Sequence, residues 1–337
     1  MNGIMKKVFV FAVVAAMIAA LAVGLAACEP DETAKGGALR VAAPEGTPAL
    51  AIARLVTDNK TIADYSMTYE VVAASNIAVE MSAEKADVVI MPVNAGANLI
   101  RQGAKYKLAC VAVDGSLFMV GNVEGGGAIE LDDIVGKKVA CIGQTGVPGL
   151  VFRYVMTNSG ITLVDENTEP DAAKNEVSVR YVADGAAARP LLASEAVAFA
   201  VVGEPAATAF KTALSLNAEM DMQAMWQSVT GKETYPQAGL FVKDTLAADG
   251  EFMNQLFAAL AASKKWVNEN PAEVTAFAQE NLYASATFPA PSIARCALDA
   301  TALDEAKKAR VLEFLSAVMP KDSGGAAIDW TAVDMFL

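Results

Sequence analysis

From Leu39 onward the chain alternates short apolar runs with longer stretches of helical spacing. Arg40-Val41-Ala42-Ala43 predicts a strand, and Thr47-Pro48 starts a helix, with Thr as N-cap and Pro at the first helical position. Tyr69-Glu70-Val71-Val72 predicts the next strand, with Ser75 placed to cap the helix after it. Asp87-Val88-Val89-Ile90-Met91 is continuously apolar after its first residue, as a parallel strand buried on both faces requires, and Asn94 can cap the helix that follows. This alternation implies an α/β fold with a parallel core.

The pattern then recurs. Lys138-Val139-Ala140-Cys141 with Gly143-Gln144-Thr145-Gly146-Val147-Pro148 echoes Arg40-Val41-Ala42-Ala43 with Glu45-Gly46-Thr47-Pro48. Val197-Ala198-Phe199-Ala200-Val201-Val202 before Gly203-Glu204-Pro205 echoes the Asp87 strand before Pro92-Val93-Asn94. Two lobes built alike are expected, the second beginning near Val135. Gln237-Ala238-Gly239-Leu240-Phe241-Val242 reads as a strand returning to the first lobe. Beyond it the chain is mostly helical: one helix over about 250–267, a stop and new start at Asn270-Pro271, and one over 304–319 ended by Pro320.

In open α/β sheets ligands bind where strands end and helices begin. The candidate loops are 44–48, 73–76, 92–96, 143–148 and 203–205. They offer backbone N–H groups at helix N-termini and small polar side chains: Gly46, Thr47, Ser75, Asn76, Asn94, Gln144, Thr145 and Gly146. Glu45 and Glu204 are their only charged residues, and each can accept an N–H or cationic group of a ligand. Thr47, Ser75, Asn94 and Thr145 have a second reading as helix caps, and Glu204 as a carboxylate favoured by a helix dipole. Tyr235 offers a ring for stacking, or for packing at a hinge.

Composition removes most chemistry from this set. The 337 residues include no histidine, so triads, His-based zinc sites and His general bases are excluded. A formal charge of −13 argues against nucleic acid as a partner. The loop at Gly143 lacks the Lys-Ser/Thr of a P-loop and the spacing of a dinucleotide fingerprint. Cys110 and Cys141 sit in apolar runs and read as buried, inert thiols; with Cys296 they make an odd number beyond Cys28. No catalytic residue, metal or cofactor is expected.

The N-terminus places the chain. After Lys6-Lys7, about 20 uncharged residues run to Leu25-Ala26-Ala27-Cys28. This ending resembles the bacterial lipobox, which implies a signal peptide over 1–27, lipidation of Cys28 and a tether over 28–37. The other reading is a retained membrane anchor; both put the remainder outside the cytoplasm.

Taken with the lipobox, the pieces resemble the substrate-binding lipoproteins of bacterial ABC importers, in the branch that includes nitrate, taurine, alkanesulfonate and thiamine-pyrimidine binders. The residues that carry the resemblance are Arg40-Val41-Ala42-Ala43-Pro44-Glu45-Gly46-Thr47-Pro48, Ala86-Asp87-Val88-Val89-Ile90-Met91-Pro92, Val135-Gly136-Lys137-Lys138-Val139 before Gly143-Gln144-Thr145-Gly146, and Gly203-Glu204-Pro205-Ala206. The resemblance implies a type II periplasmic-binding fold, with a first lobe of 38–130 plus 235–337 and a second of 131–234. It implies a small-molecule ligand closed between the lobes, a membrane permease as partner, and a lipid-anchored, extracytoplasmic location. The loops lack the Arg or Lys expected of anion binders, although Arg153 and Arg180 lie near. Two loop carboxylates tilt the expected ligand toward a neutral or nitrogen-rich organic compound such as a thiamine-pyrimidine precursor. The alternatives are a ligand-sensing lipoprotein and, more remotely, a precursor-synthesis enzyme on the same scaffold.

Overall fold

The computed structural model describes residues 36–282 and 287–337. The signal run, Cys28 and most of the expected tether lie outside the described residues. Among the described residues there are fourteen strands: β1 (Ala38–Pro44), β2 (Thr61–Ile62), β3 (Tyr65–Val72), β4 (Val88–Pro92), β5 (Tyr106–Asp114), β6 (Leu117–Gly121), β7 (Gly127–Ala128), β8 (Lys138–Ile142), β9 (Thr162–Asp165), β10 (Glu176–Val182), β11 (Phe199–Gly203), β12 (Ala218–Asp221), β13 (Pro236–Lys243) and β14 (Leu298–Ala302).

They form two seven-stranded sheets, ordered β14-β5-β13-β4-β1-β3-β2 and β7-β12-β6-β11-β8-β10-β9. Aligned place by place, β1 corresponds to β8 and β4 to β11, the same pairs that echo each other in sequence. In the first sheet β1 runs parallel to β3 and β4; in the second β8 runs parallel to β10 and β11. At the equivalent place each sheet takes a strand antiparallel to both of its neighbours. That strand is β13 in the first sheet and β6 in the second. β6 follows the first sheet's β5, and β13 follows the second sheet's last helix, so these two strands mark the crossings.

The first crossing is at Gly115 and Ser116, between β5 and β6. β6 and β7 therefore pair within the second sheet, although they precede the expected boundary at 131. The physical reason lies in hydropathy. β5 and β6 are both buried apolar strands, separated by two residues, and no change of pattern marks the passage between sheets. The second crossing follows helix Met222–Thr230 and leads into β13.

The crossings are tied to each other. Thr234 Oγ1 accepts from Gly115 N–H (3.2 Å), Gln237 Oε1 from Ser116 N–H (3.1 Å) and Gln223 Oε1 from Leu117 N–H (2.9 Å). Separate apolar clusters fill one face of each sheet. A third runs through both lobes, from Val89 and Phe241 through Phe314, Trp226 and Tyr235 to Phe152 and Val139. Among the described residues no helix is long and apolar enough to cross a membrane.

Candidate functional site

The loops at the carboxyl ends of β1, β4, β8 and β11 meet between the two sheets. Thr47, 2 % exposed, donates its Oγ1–H to the Glu204 carbonyl at 2.8 Å. Asn94, 3 % exposed, donates from Nδ2 to the Thr145 carbonyl at 2.9 Å. Each bond joins a first-sheet loop to a second-sheet loop. Asn94 Oδ1 is buried and has no donor among the described residues. It is an acceptor left over at the boundary between the lobes, a state that buried amides rarely keep.

The expected caps do not form. Helices Thr47–Leu50, Ile77–Ser82, Val93–Arg101 and Val147–Asn158 begin at Gly46, Asn76, Pro92 and Gly146, without a side-chain cap hydrogen bond. Thr47 and Asn94 lie inside the first turn rather than before it. Their side chains are therefore free to reach across to the opposite lobe. The N-terminal N–H groups of the two longer helices keep no side-chain acceptor, and Asp residues do cap helices elsewhere, as Asp221 caps Met222–Thr230.

Loop 143–149 folds around one carbonyl. Gly143 (φ 62°) presents its oxygen to the N–H groups of Gly146 (2.9 Å) and Gly149 (3.2 Å). This turn leaves Gln144 and Thr145 exposed and Gly146 half-buried at the head of its helix. Arg153 holds the turn from below, donating to the Gln144 carbonyl at 2.6 Å. Arg180 is instead paired with Glu166 at 3.3 Å.

Other expected residues lie apart from the contact. Ser75 and Asn76 are exposed beyond β3, and Ser75 Oγ meets only Asn76 Oδ1, at 3.5 Å. Glu45 is exposed, after Gly46's neighbour strand β1, with its N–H bonded to the Val72 carbonyl. Tyr235 is fully buried: its hydroxyl donates to Gln223 Oε1 at 2.8 Å and its ring stacks on Phe314 at 6.0 Å. Of its two expected roles the structure shows hinge packing.

Glu204 is 5 % exposed and already engaged. Oε2 accepts from Thr208 N–H (3.1 Å) and Oε1 from Thr208 Oγ1–H (2.9 Å). Arg295 Nε lies 2.7 Å from Oε1. Burial raises the Glu204 pKa, against the lowering by Thr208 and Arg295. The carboxylate is thus a structural partner of Arg295, which weakens the argument from loop carboxylates to a nitrogen-rich ligand.

Sequence reasoning missed Arg295. It stands just before β14 of the first sheet and reaches second-sheet groups: Glu204, Glu219 at 3.1 Å, and the Phe118 ring with its guanidinium carbon 3.9 Å from the centroid. It follows Pro289-Ala290-Pro291-Ser292-Ile293-Ala294, a stretch of 3₁₀ turns with no periodicity to flag it. A cavity of about 490 Å³ lies beside Lys105, Tyr106 and Asp334 at the start of β5, and none of these loop residues lines it. Among the described residues no group of three or more His, Cys, Asp or Glu could hold a metal ion.

No protein-family model matches the chain, and no curated protein matches it in sequence. Its structure is similar to solved ones. An ABC transporter structure from Parabacteroides distasonis superposes with a TM-score of 0.68 at 20% identity, over 88% of this chain and 98% of that one. The ligand-binding component of an ABC-type import system from Staphylococcus aureus, with zinc bound, gives 0.60 at 9% identity, over 83% and 91%. The periplasmic aliphatic sulphonate binding protein SsuA from Escherichia coli gives 0.59 at 14% identity, over 83% and 90%. These likenesses show the fold: two α/β lobes arranged as in the binding proteins of ABC importers.

Proposed function

We propose that the chain is an extracytoplasmic solute-binding lipoprotein, held at the membrane by a lipidated Cys28, that captures a small organic ligand between its lobes and delivers it to an ABC permease. It performs no catalysis in this reading. The observation that carries it is the meeting of Thr47 with Glu204 and of Asn94 with Thr145 across the two sheets, at the strand ends where α/β folds bind ligands. The importer structures that share the fold support it.

The orphaned Asn94 Oδ1 favours a ligand that presents an N–H or O–H donor. The uncapped N-terminus of Val93–Arg101 and the Val147 N–H at the head of Val147–Asn158 supply donors for its acceptors. A neutral ligand carrying both kinds of group, such as a ring nitrogen compound with an exocyclic amine, suits this arrangement. Gln144, Thr145 and Gly146 form its second-lobe rim.

The experiment is a thermal-shift screen against nitrate, sulfonates, thiamine-pyrimidines, nucleobases and amino acids. A ligand present at about 100 times its dissociation constant adds about 2.7 kcal/mol of stability. The expected hit is a nitrogen heterocycle whose effect is lost in Asn94→Ala. A sulfonate or nitrate hit retains the transport reading and overturns the ligand class. Absence of any hit, with the Asn94→Ala protein behaving as the parent, removes the support for this site.

A further inference from the structure

At the first crossing the backbone itself carries the two halves of an ion pair. Asp114, the last residue of β5, donates its N–H to the carbonyl of Ala297, just past Arg295, at 2.9 Å. Ser116 accepts from the Glu204 N–H at 2.9 Å. Gly115 stands between them, packed so closely that an added Cβ would lie 2.9 Å from Gln223 Cγ and Tyr235 Cζ. The backbone before Gly115 is thus bonded to the Arg295 segment, and the backbone after it to Glu204. The Arg295–Glu204 ion pair closes the ring, so a turn at Gly115 that parts the lobes also pulls this pair apart.

The charges are divided between the lobes. Among the described residues Arg295 pairs with no first-lobe carboxylate, and Glu204 pairs with no second-lobe cation. Arg295 Nη1 and Nη2 donate to the two oxygens of Glu219 at 3.2 and 3.1 Å, and Lys211 Nζ donates to Glu219 Oε2 at 2.9 Å. Parted lobes would therefore face each other with opposite charge: an arginine on the first, two carboxylates and a lysine on the second. Forked pairing of a guanidinium with a carboxylate fixes orientation as well as distance. The other cross-lobe bonds, from Thr47 to the Glu204 carbonyl and from Asn94 to the Thr145 carbonyl, are neutral and exchange for water at little net cost. The charged cluster is what selects one angle of the hinge.

We propose that Arg295 is a positioning residue of the cleft: it locks the first crossing with the lobes together before any ligand arrives, and so holds the Glu204 loop within reach of Thr47. This rests on the binding function proposed above, in which the lobes part to admit a ligand. Ligand then enters through the fraction of molecules whose lock has opened, and the strength of the lock sets that fraction.

The test is the distance between the lobes without ligand, by double electron–electron resonance on residues 29–337 freed of bound solutes by dialysis. Spin labels go on Val79→Cys, in the helix after β3, and Thr168→Cys, in the loop after β9. Both positions are exposed and lie toward the same far edge of the two sheets, away from the crossings. The native thiols of the described residues are buried and stay unlabelled. The expected result is a dominant short distance in the parent and, in Arg295→Gln, a shift of the short-to-long ratio toward long by about tenfold or more. Arg295→Lys, which keeps the charge and loses the fork, falls between the two. Glu204→Gln shifts the ratio in the same direction and decides alone if circular dichroism shows that Arg295→Gln does not fold. The proposal is overturned if the parent shows mainly the long distance, or if the deciding variant gives the parent's distribution. No ligand enters the measurement, so a screen without hits, which removes support for the binding function, leaves its outcome unchanged.

Discussion

Arg295 Nε and Glu204 Oε1 lie 2.7 Å apart, one from the segment before β14 of the first sheet and the other from the loop after β11 of the second. The pair is shielded unequally: the Glu204 side chain is fully buried, while that of Arg295 keeps 29% of its surface. The remaining guanidinium nitrogens go to Glu219, and Phe118 covers one face of the plane. One arginine thus fastens the lobes through three second-sheet residues. Truncating it in Arg295→Ala leaves Glu204 buried with only Thr208 as partner. The expected loss is roughly 2–5 kcal/mol, as for one partner of a buried charge pair. Glu204→Gln removes the buried charge and leaves Arg295 its pairing with Glu219, so it costs less. Urea unfolding of both variants checks the order, and equal losses would mean that the pairing with Glu204 carries the whole effect and that Glu219 and Phe118 add nothing.

How far the sequence reveals this arrangement depends on what kind of signal each residue leaves. β1, β4, β8 and β11 are legible because strands in the middle of a parallel core must be apolar on both faces, and the repeated pattern already pointed to equivalent places in two lobes. Thr47 and Asn94 are legible as loop polars. Their role is not, because a side chain at a helix start serves a cap and a cross-lobe bond equally well in one dimension. The passage from β5 to β6 is hidden because both strands are buried, and burial rather than sheet membership sets hydropathy. Arg295 is hidden for a further reason: its partners Glu204 and Glu219 are brought to it by the fold over a large separation in sequence.

Asp114 makes stability depend on pH. It is half-buried at the end of β5 beside Arg310, and this partial burial pushes its pKa up to about 6. A carboxyl whose folded pKa exceeds its unfolded value of about 3.8 binds its proton more tightly in the fold. Its contribution to stability is therefore full below about pH 4 and is lost as pH rises through about 6. The size is about 2–3 kcal/mol, from a shift of about two pKa units at 1.36 kcal/mol each. Glu204 is shifted in the same direction by burial, whereas Glu219 and Asp299 are lowered by their cationic and hydrogen-bond partners and act oppositely in more acid solution. Comparison with Asp114→Asn isolates the one group. The stability of the parent relative to the variant should fall by about 2–3 kcal/mol between pH 4 and pH 7. A constant difference across that range would show that Asp114 does not titrate there.

The three cysteines of the described residues are silent in the fold. Cys110, Cys141 and Cys296 are free and fully buried, and burial pushes the thiols of Cys110 and Cys296 up to about 12 and that of Cys141 higher still. The thiolate is the reactive species, so neither access nor ionisation favours reaction. In a chain that begins at residue 29, a disulfide reagent should report no fast thiol under native conditions and three after denaturation. Fast labelling of Cys296, which lies next to Arg295, would mean that the interlobe contact opens readily.

Loop 143–149 tolerates no added carbon at Gly149. A Cβ there would stand 2.5 Å from the Gly143 oxygen and 2.8 Å from the backbone of Gln144, and backbone atoms in so tight a turn have nowhere to go. Gly149→Ala must therefore displace the Gly143 carbonyl from the N–H groups of Gly146 and Gly149. It must also shift the Thr145 carbonyl that receives Asn94. Overpacking of this kind costs about 1–3 kcal/mol. The control is Gly250→Ala, at the first position of helix Gly250–Glu269, where a Cβ meets nothing within 4 Å and alanine is the better helix former. Gly149→Ala should lower the urea midpoint and weaken ligand binding together, while Gly250→Ala leaves binding intact and stability equal or higher. A Gly149→Ala protein as stable as the parent but defective in binding would mean that the loop relaxes cheaply and serves only to place Thr145.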